Sequence, residues 1–147
     1  MDNVLVVGAS RGIGLEFVRQ YVAEGARVIA TARDEDGLAR LRDFGATALK
    51  VDVADPASVS GLAWQLDGEE IDIALYVAGV WSEGGATSPP TQPDFDRVMH
   101  ANVLGAMQVI PQVAPLMVAS RSRGRFAFIT SGLAQISTVA SSQAWLY

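Results

Sequence analysis

Cysteine is absent from this chain of 147 residues, and histidine occurs once, at position 100. With no thiol there is no disulfide framework, thiolate metal site or thiol nucleophile, and one histidine excludes a histidine-rich metal centre. Lysine is as scarce, with Lys50 alone. The 11 basic residues are outnumbered by 16 acidic ones, giving a formal charge of −5. The only basic cluster, Arg121, Arg123 and Arg125, reads as a solvated turn and leaves no footprint for nucleic acid. No segment approaches the ~18 apolar residues of a membrane span. Nor does Met1-Asp2-Asn3-Val4 open a basic-then-apolar secretory signal. A cytoplasmic protein with neither nucleic-acid nor membrane partners is the expectation.

Half of the residues are hydrophobic, enough for one substantial core and, at this length, a single domain over residues 1–147. Short β-branched runs at 4–7, 27–31, 47–51, 71–77 and 125–130 alternate with stretches of helical periodicity. That alternation predicts βαβ units, and hence an α/β fold with a doubly wound, Rossmann-like parallel sheet of about five strands. Helices are expected over 12–24, over 34–44, from Asp55-Pro56 to about Leu66, and from near Asp94 onward. The last should bend or end early at Pro111 and Pro115. Residues 80–93, with glycines, prolines and hydroxyl side chains, read as a loop beyond the end of the fourth strand, where open parallel sheets border their ligands. No internal repeat or low-complexity tract interrupts the pattern.

Gly8-Ala9-Ser10-Arg11-Gly12-Ile13-Gly14 follows the first strand and opens the first helix. Glycines there permit a tight turn and close approach of a pyrophosphate, and the helix start supplies free amides and a favourable dipole. The spacing of the glycines, together with Ser10 and Arg11, resembles the single-domain branch of the short-chain dehydrogenase/reductase family. The resemblance extends along the chain. It places Gly8, Ser10, Arg11, Gly12, Ile13 and Gly14 around the phosphates of a nucleotide cofactor. Asp52 and Val53 would then stand beside the adenine, although an aspartate at that point also suits a turn. Ala78, Gly79 and Val80 match the second half of the family's Asn-Asn-Ala-Gly segment; Tyr76-Val77 replace its two asparagines, leaving the sheet there without the polar bracing those residues provide.

The same resemblance implies a catalytic set. Asn102, inside the long helix where asparagine has indifferent propensity, matches the family's helix-disturbing, water-holding asparagine. Ser131, with Thr130 as its alternative, matches the serine that polarises the substrate oxygen. Tyr147 matches the tyrosine that acts as acid or base, but the family's lysine four residues later has no counterpart. His100 is read as an ordinary helix residue. The resemblance implies an oxidoreductase moving a hydride between nicotinamide and a carbonyl or alcohol substrate, with the sequence stopping at the catalytic tyrosine and inactive alone. The alternative is a regulatory module that senses the cofactor without turnover. NADP is expected over NAD, because Thr31-Ala32-Arg33 ends the second strand without the carboxylate that receives the ribose hydroxyls, and Arg33 and Arg11 suit a 2′-phosphate. A homo-oligomer is expected to cover the sheet's incomplete C-terminal side.

Overall fold

The structure, a computed structural model, describes residues 1–82, 88–118, 124–132, 135 and 137. Five parallel strands, β1 (Asn3–Val7), β2 (Arg27–Ala32), β3 (Thr47–Lys50), β4 (Ile73–Tyr76) and β5 (Arg125–Phe128), form one sheet in the order β3-β2-β1-β4-β5. Each strand of the sequence reading is present, β1 and β2 one residue longer than expected and β3, β4 and β5 one to three residues shorter. The order reverses between β1 and β4, so the turns leaving these two strands open a crevice at the carboxyl edge.

β1 is central, and its side chains alternate between two cores. Leu5 and Val7 face α3 (Pro56–Ser60), α4 (Leu62–Gln65) and α6 (Gly105–Val118), through Val59, Leu62, Leu66, Val109 and Val113. Val4 and Val6 face the other way, toward α1 (Gly12–Ala23) and α2 (Glu35–Asp43), through Val18, Leu38 and Leu41. Burial on both faces explains why β1 reads as an unbroken apolar run and not an alternating one. Truncating such a residue, for example Leu5→Ala, would open a cavity costing about 2–5 kcal/mol.

Helix starts follow local chemistry. Asp34 accepts the Gly37 amide at 2.7 Å to begin α2, Asp55 accepts the Ala57 amide at 3.0 Å ahead of Pro56, and Thr91 caps α5 (Gln92–Met99). Such caps contribute about 1 kcal/mol each. The stretch expected as one helix from Asp55 is divided at Gly61 into α3 and α4.

The long helix departs from expectation. Its irregularity lies not at the prolines but at a π-helical turn over His100–Leu104 between α5 and α6. α6 continues through Pro111 and Pro115 to Val118. Both prolines are exposed, as is Met107, so the carbonyls of Met107 and Pro111 that lose amide partners belong to residues on the solvent side. The opposite side, Val109, Val113 and Met117, packs on the sheet and holds the helix together across them. No helix among the described residues is long and apolar enough to cross a membrane.

Candidate functional site

At the reversal of strand order lies a cleft of about 560 Å³, lined by the glycine turn after β1 and the segments leaving β2, β3, β4 and β5. The glycine turn is anchored from β2. Thr31, almost fully buried, accepts the Gly8 amide on its hydroxyl at 3.0 Å, and its carbonyl accepts the Ala9 amide at 2.8 Å. Gly8 has φ +86°, and a Cβ there would stand 2.5 Å from the Cα of Ala78. The turn after β1 therefore fits against the segment after β4 only with glycine at this position.

α1 begins in this turn, and its first residue beyond the helix, Arg11, makes no side-chain cap. The first amides of any helix lack intrahelical partners. Here they border the cleft, where an anion would complete them. Arg11 and Arg33 both line the cleft, are exposed, and have no carboxylate partner among the described residues. Asp34, by contrast, is committed to the start of α2 through Gly37.

Farther along the edge, Asp52 and Val53 leave β3. One Asp52 carboxylate oxygen accepts the Ala54 amide at 3.0 Å, while the Asp52 amide donates to Ser58 at 2.9 Å. Asp52 thus shapes a turn and lines the cleft at once.

The far wall is built from β4 and the π-helical turn. Asn102 stands in the middle of that turn, and its side chain grips the backbone of Val80 from both sides. Its Oδ1 accepts the Val80 amide at 2.8 Å, and its Nδ2 donates to the Val80 carbonyl at 3.0 Å. Arg97 of α5 donates to the Trp81 carbonyl, adding a second tie to the same segment. The Tyr76 hydroxyl donates to the Ala101 carbonyl at 2.8 Å. Burial pushes that hydroxyl well above the usual phenol range, so it remains a donor at any working pH. Phe128 at the end of β5, with Thr130 and Ser131 beyond it, completes the wall.

A family model described as short chain dehydrogenase matches residues 2–143. The chain belongs to the short-chain dehydrogenase family. Among its relatives is galactitol 2-dehydrogenase of Agrobacterium fabrum, 34% identical over 126 residues that make up 82% of this chain and 48% of that protein. The 3-oxoacyl-[acyl-carrier-protein] reductase FabG of Escherichia coli is 41% identical over 132 residues, 86% of this chain and 53% of the relative. A solved structure described as the Pseudomonas aeruginosa RhlG/NADP active-site complex superposes with a TM-score of 0.84 at 32% identity, covering 99% of this chain and 60% of that one. The chain spans about half the length of the curated relatives it matches.

For a short-chain dehydrogenase, the residues expected at the cofactor converge well. Gly8, Ser10, Arg11, Gly12, Ile13, Gly14, Arg33, Asp52, Val53, Ala78, Gly79 and Val80 all line the one cleft, as do Asn102, Thr130 and Ser131. Tyr147 lies outside the described residues. His100 is exposed and is not among the residues lining the cleft. Two contributors escaped the sequence reading. Thr31 drew notice only as part of a segment without a carboxylate, and Tyr76 only as a lost asparagine. A hydroxyl two residues before Arg33 on a buried strand was the available signal for the first. For the second none existed, because its partner lies 25 residues away.

Proposed function

We propose that this chain is the cofactor-binding part of an NADP-dependent oxidoreductase that moves a hydride between nicotinamide and a small carbonyl or alcohol substrate. The observation carrying this reading is the uncapped start of α1 in the switch-point cleft, flanked by Arg11 and Arg33. Free amides suit a pyrophosphate, and two guanidinium groups without carboxylate partners among the described residues suit the additional 2′-phosphate. Asp34, the nearest acidic candidate for a ribose hydroxyl, is occupied with Gly37. The relative solved as an NADP complex supports the same choice.

In this reading the cofactor supplies the hydride chemistry. Gly8 and the α1 amides hold its phosphates, Asp52 and Val53 border its adenine, and Ala78 to Val80 form the floor toward the reacting end. Asn102 fixes that floor, and Ser131 presents a hydroxyl to the substrate oxygen, with Thr130 beside it. Tyr147 is assigned the acid-base role by its match to the family alone.

Titration of the chain with NADPH and NADH, followed by calorimetry, tests the reading. Tighter binding of NADPH is expected; equal or tighter binding of NADH would overturn the preference.

The reading includes self-association in a cytoplasmic setting. Phe95, Val103, Met107 and Ile110 are exposed apolar residues on the α5–α6 unit, and β5 lies at a sheet edge with Phe128 and Ile129 about two-fifths exposed. Exposed apolar area of this kind is normally covered by association. Sedimentation of the purified chain should show a species heavier than a monomer.

A further inference from the structure

The wall of the cleft formed by Val80 is held by a chain of contacts that starts on the sheet. Tyr76 is the last residue of β4, its ring set against Phe128 with centroids 5.8 Å apart. From there its hydroxyl reaches the Ala101 carbonyl. In a regular α-helix that carbonyl would receive the amide of Gly105. Here the Gly105 amide goes to the carbonyl of His100 instead, as the π-helical turn requires. The Tyr76 hydroxyl thus supplies a donor to a carbonyl whose α-helical donor has been spent elsewhere.

Gly105 makes the approach possible. A Cβ on it would stand 2.8 Å from the Tyr76 hydroxyl and 2.6 Å from the Val53 carbonyl. The helix therefore comes close enough to β4 and to the segment after β3 for the bond to form. Asn102 follows Ala101 directly, and its side chain grips both polar groups of Val80.

We infer that Tyr76 is a positioning residue of the cleft: its hydroxyl, donated to the Ala101 carbonyl, holds the π-helical turn in the register that places Asn102 on Val80. Only its consequence for cofactor affinity rests on the proposed NADP reading; the placement of Val80 does not.

The test is residue-resolved amide exchange by NMR on the 147-residue chain and its Tyr76→Phe variant, which keeps the ring and removes the bond. Loss of one hydrogen bond corresponds to about a tenfold change in a local opening equilibrium. The Val80 amide should exchange about tenfold faster in the variant, while the β1 and β2 amides of Leu5 and Ile29 stay unchanged. In an Asn102→Ala background, where Val80 has already lost its partner, Tyr76→Phe should add nothing at Val80. NADPH should bind the single Tyr76→Phe variant several-fold more weakly than the parent. Unchanged exchange at Val80, an equal rise across Leu5, Ile29 and Val80, or full additivity with Asn102→Ala would each overturn the inference. Failure of the parent chain to bind NADPH would instead count against the cofactor reading, and the exchange pattern would still decide the role of Tyr76.

Discussion

The Thr31 hydroxyl accepts the Gly8 amide at 3.0 Å, tying the end of β2 to the turn after β1 from a site almost wholly shut off from water. Valine has nearly the same shape as threonine but no acceptor. Thr31→Val should therefore leave the Gly8 amide short of a partner and destabilise the fold by about 1–3 kcal/mol. Denaturant unfolding measures this. NADPH affinity should fall as well, since the same amide turn borders the cleft; a variant as stable and as tightly binding as the parent would remove Thr31 from the cradle.

Asn102→Asp should show a pH-dependent defect. A carboxylate can still accept the Val80 amide but cannot donate to the Val80 carbonyl, and two oxygens then face each other. About 1–2 kcal/mol of stability should be lost near pH 7, discounted for the partial exposure of the segment. Proximity to the carbonyl raises the new carboxyl's pKa in the folded state, so protonation as pH falls restores a donor. Unfolding curves for parent and variant should converge toward pH 4; a constant gap across that range would contradict the two-way grip on Val80.

The strand pattern was readable because β1, β2 and β4 are buried on both faces, and such burial writes itself as continuous Val, Ile, Leu and Ala. The glycine turn was readable because its requirements are local: Gly8 needs a positive φ and a near-contact with Ala78. The helix over 92–118 was misread at Pro111 and Pro115 because a proline rule considers only the missing amide. It does not know that both residues face solvent while Val109 and Val113 anchor the other side. The π-helical turn was partly visible in the oddity of Asn102 inside a helix. Its cause was not, since the Tyr76 hydroxyl and the Gly105 approach are long-range contacts with no periodic signature.

Arg33→Ala should lower NADPH affinity by about 10–100-fold, the range for losing a charge-assisted contact to phosphate, and leave NADH affinity nearly unchanged. Arg11→Ala should act in the same direction. Raising the ionic strength should weaken NADPH binding to the parent more than to either variant, because an exposed guanidinium is screened. Equal losses for both cofactors would show that these arginines serve the fold or the pyrophosphate and not the 2′-phosphate.

Arg27 at the start of β2 forms a two-point ion pair with Glu69 in the turn before β4. Hydrogen bonds from Arg27 hold the Glu69 carboxyl below its ordinary range. A depressed folded-state value stabilises the fold above the unfolded pKa of about 4.3 and loses that contribution as pH falls through the folded value. Both side chains are partly exposed, so the contribution should be no more than about 0.5–1 kcal/mol. Glu69→Gln should be less stable than the parent by that amount at pH 7, with the gap closing below about pH 4. A gap that persists in acid would mean that glutamine disturbs packing and that the ion pair contributes little.

The 147-residue chain should bind NADPH without turning it over at a useful rate. Tyrosine titrates near pH 10, too high for efficient acid-base work at neutral pH, and the resemblance calls on a lysine to favour its ionised form. Within these residues lysine occurs only at position 50. Lys50 lies on β3 with its ammonium 3.0 Å from Glu35, exposed, and it does not line the cleft. It is therefore placed to pair with α2, away from the residues that line the cleft. The measurement follows absorbance at the reduced-nicotinamide band with a panel of ketones and aldehydes, after calorimetry has shown that NADPH is bound. Binding with negligible oxidation is the expected result. Steady oxidation that depends on substrate, and that survives Lys50→Gln, would show that the chain contains a sufficient proton donor, and Tyr147→Phe would then reveal whether that donor is the tyrosine.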